Sequence, residues 1–245
     1  MKKILLALQF WAGDKNQAAR LADFIADLES THCECADFLF AARFDCPLDL
    51  ELVKRVSRKF NVHTYTSRRR GKGWPQGCTE LWLSTMEWCY SMKRGKRIPD
   101  YSAVFMMEAD CVPISRGWVQ HFHDHWEKEQ ARLNGKLSVM GVWLPNGVRE
   151  NIGHINGACL CSLEMKMAAE IIRIGNRCPV NLGWDYYAGP QFKALGWSEM
   201  PGFVFDWRSE KVTEEKFRDL ISKGTVFHHG CKDRSLFDLS RKNLL

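Results

Sequence analysis

The chain alternates short apolar runs with segments in which apolar residues recur every three or four positions. Residues 4–8 are apolar without a break, as expected of a strand that is buried on both faces. Residues 16–28 carry Ala18, Leu21 and Ile25 on one face of a helix. The same alternation predicts strands at 3–10, 36–44, 62–66 and from Tyr101, with helices at 16–28, 48–60 and 79–92.

This order of elements favours an α/β fold, in which helices flank a mostly parallel central sheet. The later part of the chain predicts helices at 115–133, 163–174, 185–195 and 213–223, and strands at 137–144, 157–162 and 203–207. No repeat or low-complexity linker interrupts the sequence. We therefore expect a single domain over residues 1–245.

The composition is that of a globular protein, with 45% hydrophobic and 26% charged residues in a chain of 245. The net charge of +6 favours an anionic partner. Ten cysteines occur without a C-x-x-C pair, which argues against zinc sites and disulfides and favours the cytoplasm. The apolar run after Lys3 lacks a signal-peptide cleavage site, and no run is long enough to span a membrane, so we expect no membrane partner.

Two acidic residues follow the apolar strand that begins near Tyr101. The sequence A-V-F-M-M-E-A-D places Glu108 and Asp110 at the carboxyl end of that strand. In open α/β sheets this edge binds ligands, and carboxylate oxygens suit Mg²⁺ or Mn²⁺. An acid that caps the following helix is the structural alternative.

Three other segments carry candidate chemistry. Near the end of the chain, His228 and His229 precede a glycine and Lys232, which is either a metal- and phosphate-binding segment or a surface turn. Gly157 leaves backbone accessible to a ligand. Asp185 stands at a predicted helix start, either as a cap or as a base that faces an acceptor hydroxyl.

In this order, these residues resemble the GT-A glycosyltransferases, nucleotide-sugar-dependent enzymes with a Rossmann-like amino-terminal half. Glu108-Ala109-Asp110 occupies the place of the family's D-x-D motif. The resemblance implies that Asp110 binds Mn²⁺ or Mg²⁺ and that Glu108 faces the donor ribose or a water on the metal. It also implies a nucleotide-sugar-binding half at 1–113 and an acceptor-side half at 114–245.

The resemblance assigns roles to further residues. His228 would be a metal ligand, with His229 as its alternative, and Lys232 would bind the diphosphate. Gly157 would lie on the acceptor-side strand. Asp185 matches the acid that deprotonates the acceptor in inverting members, although the sequence leaves retention or inversion open. The nucleoside, expected to belong to a UDP-sugar, would contact the end of the first strand at Gln9, Phe10 and Trp11.

A basic, glycine-containing segment suggests the acceptor. Residues 67–76 read S-R-R-R-G-K-G-W-P-Q, which predicts a loop. It is either a solubilising or diphosphate-binding surface, or a track for DNA along which an aromatic ring stacks on a base. Its candidate DNA-binding residues are Arg68, Arg69, Arg70, Lys72 and Trp74.

A small glycosyltransferase with such a loop resembles the phage enzymes that glycosylate hydroxymethylated bases in DNA, and would act in the host cytoplasm. The target base would have to leave the duplex to reach the metal. The alternative acceptors are a saccharide or a protein. The alternatives from other classes are a metal-dependent nuclease or phosphohydrolase and a non-enzymatic nucleic-acid-binding module.

Overall fold

A computed structural model describes residues 2–145, 153–208 and 210–245. The strands are β1 (Ile4–Phe10), β2 (Ala36–Ala42), β3 (Val62–Thr66), β4 (Ala103–Met107), β5 (Cys111–Pro113), β6 (Val139–Leu144), β7 (His154–Ser162), β8 (Trp197–Glu199), β9 (Phe203–Arg208) and β10 (Phe227–Cys231). The helices are α1 (Lys15–Leu28), α2 (Leu50–Val56), α3 (Cys78–Arg94), α4 (Trp118–Arg132), α5 (Met165–Arg177), α6 (Trp184–Gly196), α7 (Glu214–Ser222) and α8 (Ser235–Leu244).

Seven strands form the central sheet in the order β3-β2-β1-β4-β7-β6-β8. The first four in this order are parallel to one another, β7 is antiparallel to both β4 and β6, and β8 is parallel to β6. A second, small sheet has the order β5-β10-β9. The expected α/β architecture, a mostly parallel central sheet flanked by helices, is therefore confirmed.

Helices cover both faces of the sheet because the apolar strands alternate their side chains between the two faces. On β1, Leu6 belongs to a buried cluster that includes residues of α1, α2, α4 and α8. Its neighbour Leu5 belongs to the opposite cluster, with residues of α3, α5 and α6. This two-sided burial holds the carboxyl ends of β1 and β4 rigidly at one edge, where the acidic residues follow.

The structure differs from the sequence prediction mainly in short elements. The helix expected at 48–60 begins at Leu50, where Asp49 caps it by accepting hydrogen bonds from two backbone N–H groups, and ends at Val56. The strands β5 and β8 are three residues long, and the pattern is too short to predict them. The terminal helix α8 was not predicted.

No helix in the described ranges has the length and apolar character that a membrane span requires.

Candidate active site

The register of two strand pairs brings distant residues to one edge of the sheet. β1 and β4 are parallel, with Leu8 opposite Met107, so their carboxyl ends lie side by side. Glu108 and Asp110 follow β4 directly. β10 runs antiparallel to β5 with His229 opposite Cys111, which places the histidine beside Asp110.

Glu108, Asp110 and His229 form a compact group of candidate metal ligands. The His229 Nε2 atom lies 3.3 Å from Asp110 Oδ1 and 3.7 Å from Glu108 Oε2. One ligand atom from each residue can be chosen so that all lie within 4.8 Å of one another. Carboxylate oxygens suit Mn²⁺ or Mg²⁺, and an imidazole can complete a mixed oxygen and nitrogen shell, so these residues fit a divalent cation.

His228, the first choice for the metal ligand from sequence, lies elsewhere. Successive side chains of a strand point to opposite faces, so His228 and His229 cannot both face the carboxylates. His228 is buried opposite Val112 in the small sheet, and the group of ligands contains His229 instead. The structure therefore favours the alternative histidine.

Asn156, which the sequence analysis missed, orients His229. Its Oδ1 atom accepts a hydrogen bond from the backbone N–H of Ala158 at 3.1 Å, which identifies this atom as the oxygen. The same oxygen lies 2.8 Å from His229 Nδ1, so Nδ1 carries a hydrogen and Nε2 faces the carboxylates. Buried on β7, Asn156 is a partner of the kind that orients metal-binding histidines in proteins.

The charged side chains of this group shift one another's pKa values strongly. Burial raises the pKa of Asp110, but His229 and Lys232 outweigh it and hold that pKa well below its usual range. Burial lowers the pKa of His229, but Asp110 and Glu108 outweigh it and raise that pKa to about 10. The imidazole is therefore cationic at neutral pH without a metal, and a bound metal would replace its Nε2 proton.

Lys232 adds a second cation. Its Nζ atom lies 2.5 Å from Asp110 Oδ2 and 4.8 Å from the centre of the Trp207 ring. The residue follows β10 directly, so the strand that delivers His229 also delivers the lysine. An ammonium beside a candidate metal site is well placed to neutralise a phosphate of a bound ligand.

Asp185 faces the group from the first turn of α6. A Cβ atom at Gly157 would lie 3.3 Å from Glu108 Oε1 and 3.9 Å from Asp185 Oδ2, so the glycine keeps the space between these carboxylates open. Burial, and then the negative charge of Glu108, raises the pKa of Asp185 to about 7. The adjacent Trp184 stacks on Trp82 with ring centres 3.9 Å apart, which fixes the start of the helix.

Two more residues near the group were not singled out from the sequence. Asp14 accepts a hydrogen bond from the backbone N–H of Trp11 at 2.7 Å. Burial, then Glu108 and Asp110, raise the pKa of Asp14 to about 6. Burial, then Glu108 and Asp185, raise the pKa of the Cys78 thiol to about 12. In the sequence Asp14 resembles an ordinary helix cap, and only the packing brings it near the acids.

The three nucleoside candidates at the end of β1 have different surroundings. Gln9 donates a hydrogen bond from Nε2 to Thr85 Oγ1 at 3.0 Å. Phe10 is 4% exposed and packs in the core, so its ring is not available to a nucleoside. Trp11 is 45% exposed, with the Arg43 guanidinium 4.7 Å from its ring centre. Of the two aromatic rings, the structure therefore presents that of Trp11.

The basic loop leaves β3 and leads through a turn at Gly73–Gly77 into α3. Arg68, Arg70 and Lys72 are exposed, and Trp74 is 70% exposed. Arg69 differs because it forms an ion pair with Glu87 at 2.6 Å.

Comparisons with known proteins identify the fold. The sequence matches no protein-family model and no curated protein. The structure resembles the glycosyltransferase GlyE of Streptococcus pneumoniae TIGR4, with a TM-score of 0.55 and 9% identity over 100% of this chain and 62% of GlyE. It also resembles the bifunctional glycosyltransferase WbbM, with a TM-score of 0.60 and 10% identity over 99% of this chain and 50% of WbbM.

A third similar structure is the galactosyltransferase LgtC in complex with donor and acceptor sugar analogues. Its TM-score is 0.52 and its identity 12%, over 98% of this chain and 94% of LgtC. The fold is thus that of the GT-A glycosyltransferases, as expected from the sequence. At these identities the likeness concerns the fold, and the chain spans 62% and 50% of the length of GlyE and WbbM.

Proposed function

We propose that this protein is a metal-dependent glycosyltransferase that moves a sugar from a nucleotide-sugar donor to an acceptor hydroxyl. The observation that carries the proposal is the convergence of Glu108, Asp110 and His229, with Lys232 beside them, at the carboxyl edge of a GT-A sheet. Ligands bind at this edge in open α/β sheets. The fold shared with three glycosyltransferases supports the same assignment.

Asp110, His229 and Glu108 would hold Mn²⁺ or Mg²⁺. When bound, the cation supplies Lewis-acid stabilisation of the departing nucleoside diphosphate. Lys232 supplies a further positive charge to that diphosphate. Its ammonium contacts Asp110 and therefore lies beside the position of the cation. Trp11 provides an exposed ring for the nucleoside, and we take the donor to be a UDP-sugar.

Asp185 accepts the proton of the attacking hydroxyl. A base works best when its pKa is near the working pH, and the pKa of this carboxyl is about 7. The space that Gly157 leaves between Glu108 and Asp185 is where the transferred sugar and the acceptor meet. Asp185 acting as the base on the acceptor hydroxyl would correspond to an inverting transfer.

For the acceptor we propose a hydroxymethylated base in DNA, as in the phage enzymes that the sequence resembles. The exposed arginines and lysine of the basic loop, which leads into α3 beside the site, support this choice. The protein would then work in the cytoplasm, that of the host if a phage encodes it.

Donor cleavage tests the catalytic proposal. The protein is incubated with Mn²⁺, a panel of nucleotide sugars and candidate DNA, saccharide and protein acceptors, and the released nucleoside diphosphate is measured. We expect release from one donor, its loss in Asp110→Asn and His229→Gln, and its retention in the matched variant His228→Gln. No release from any donor, with folded protein and metal present, would refute the proposal.

Mass spectrometry of the acceptor tests the DNA proposal separately. Hydroxymethylated and plain DNA are treated with the protein and digested to nucleosides. A hexose or pentose mass gain on the hydroxymethylated base supports it. A mass gain on a saccharide or protein instead would refute only the DNA acceptor and leave the transferase proposal intact. Cleaved DNA would indicate a nuclease.

A further inference from the structure

The half-buried ring of Phe44, next to the candidate active site, is surrounded by cations. Arg70 places its guanidinium 4.8 Å from the centre of the Phe44 ring, and the Lys72 ammonium lies 5.8 Å from it. Arg43 approaches the same ring at 5.9 Å. We call Phe44, Arg68, Arg70, Lys72 and Trp74 the Phe44 surface.

The charges of this surface are available to a partner. Arg68, Arg70 and Lys72 are exposed, and within the described parts of the chain none of them forms an ion pair. Arg43 differs because Asp45 holds it through two hydrogen bonds of 2.8 and 2.6 Å. Arg43 therefore supports the ring, and the other three cations face solvent.

The loop that carries the cations is held in place. The Glu80 carboxylate accepts a hydrogen bond from the Gly71 backbone N–H at 2.6 Å and another from the Gln76 side chain at 3.1 Å. The Arg69 N–H donates to Ser67 Oγ at 3.2 Å. A surface fixed in this way loses little conformational entropy when a ligand binds.

The Phe44 surface is continuous with the candidate active site on two sides. Arg43 bridges Phe44 and Trp11, since its guanidinium lies 4.7 Å from the Trp11 ring centre. The loop also ends at Cys78, whose thiol lies within the field of Glu108 and Asp185. A chain lying on this surface can therefore reach the carboxylates.

Free cations and the exposed ring of Trp74 together fit one class of polymer. Single-stranded nucleic acid carries phosphates, which bind arginine and lysine, and planar bases, which stack on aromatic rings and guanidinium groups. An anionic polysaccharide satisfies the charges and can pack C–H groups on Trp74, but it has no planar group to stack on the Arg70 guanidinium. The composition of this surface therefore favours nucleic acid.

We infer that the Phe44 surface binds a single-stranded nucleic-acid segment and leads it to the site at Glu108 and Asp110. The inference deepens the proposed function. It rests on that function in one respect, because only a transferase would use the bound strand as its acceptor. The binding itself needs no turnover. It can therefore be measured without a donor.

The test is fluorescence anisotropy of the whole protein with a labelled 12-nucleotide DNA strand over a series of salt concentrations. The test variant changes Arg68, Arg70 and Lys72 to Gln. The matched control changes Arg94, Lys96 and Arg97 to Gln, which removes the same exposed charge at the other end of the 17-residue helix α3, about 25 Å away.

We expect the test variant to lose at least tenfold in affinity and to lower the salt slope by roughly two, as for three lost phosphate contacts. The control should lose less than threefold. Trp74→Ala should weaken binding of DNA more than binding of a sulfated oligosaccharide, because a planar base stacks on more of the indole than a sugar ring does. Circular dichroism confirms that each variant is folded.

Equal losses in the test variant and the control would overturn the inference, since the binding would then follow net charge. The inference would also be overturned if the sulfated oligosaccharide and the DNA strand bound with equal affinity and Trp74→Ala changed neither affinity. Asp110→Asn separates this inference from the proposed function. This variant should lose donor cleavage but keep its affinity for DNA. A wild-type protein that binds DNA on this surface but cleaves no donor would refute only the proposed transferase activity.

Discussion

Asn156 and His229 form a buried pair, in which the asparagine Oδ1 accepts the hydrogen of histidine Nδ1 at 2.8 Å. The backbone N–H of Ala158 donates to the same oxygen, so the amide cannot turn without losing both bonds. The pair fixes the imidazole with Nε2 toward Glu108 and Asp110. The hydrogen bond therefore orients His229, one residue of the candidate metal site, without a bound metal.

Removal of this partner should weaken metal binding. In Asn156→Ala the ring can turn, and we expect the Mn²⁺ affinity to fall about 10- to 100-fold. Electron paramagnetic resonance of free Mn²⁺ measures it directly. Asn61→Ala is the control, because Asn61 also forms a side-chain hydrogen bond, to the Asp37 carboxylate, but at the opposite edge of the sheet. Equal affinities in the two variants would show that the pair has no role in binding.

The two adjacent histidines should behave differently. His229→Gln removes a candidate ligand and should lower the Mn²⁺ affinity by more than the roughly 10- to 100-fold expected for a supporting residue. His228→Gln, with its side chain buried outside the group, should keep the affinity within about threefold of wild type if the protein is folded. Isothermal titration gives both values, and the reverse ranking would restore the histidine preferred from sequence.

Lys232 should matter for the donor. Lys232→Met keeps the length of the side chain but removes the charge, and a lost charged contact of about 1.5–3 kcal/mol corresponds to a rise of roughly tenfold or more in the donor KM. Lys232→Arg should recover part of this. Lys223→Met, which removes an exposed lysine paired with Asp219, should leave KM unchanged. An unchanged KM in Lys232→Met would argue against contact with the diphosphate.

The pH dependence of the transfer rate should follow the ionisation of Asp185. Burial and Glu108 raise its pKa to about 7, and a base acts only when it is ionised. The rate of sugar transfer should therefore rise as the pH increases through about 7 and then level off. Asp185→Asn should lower kcat by about 10²–10⁴-fold and flatten the profile. A retained profile in that variant would assign the base to another residue.

His154 should make stability depend on pH. Burial lowers its pKa from about 6.5 to about 4, and its ring stacks on Tyr186 with centres 3.7 Å apart. Between these values the unfolded chain binds a proton that the folded protein does not, so stability should fall as the pH drops from about 6.5 to 4. The loss amounts to roughly 3 kcal/mol.

Urea unfolding at pH 7, 5.5 and 4.5 measures this loss. His154→Phe keeps a ring against Tyr186 but cannot titrate, and its stability should fall less over the same range. If wild type and His154→Phe lose stability in parallel, other groups account for the acid sensitivity.

The sequence determined the long elements and located the two acids of the candidate metal site. The apolar runs of β1 and β4 and the periodic face of α1 are long enough to specify their structure, because each buries many side chains. Glu108 and Asp110 were predictable for the same reason: they stand where a buried strand ends. The mostly parallel α/β sheet follows from this order of elements, whereas GT-A was implied by the resemblance of the motifs.

Only the tertiary structure decided which partners meet these acids. The choice between His228 and His229 depends on the register of β10 against β5, and a shift of one residue would exchange them. Asn156 and Asp14 approach the group through contacts between elements that are far apart in sequence. The hydrophobic pattern of a sequence predicts which residues of each element are buried. Which side chains from different elements lie next to one another depends on long-range strand pairing.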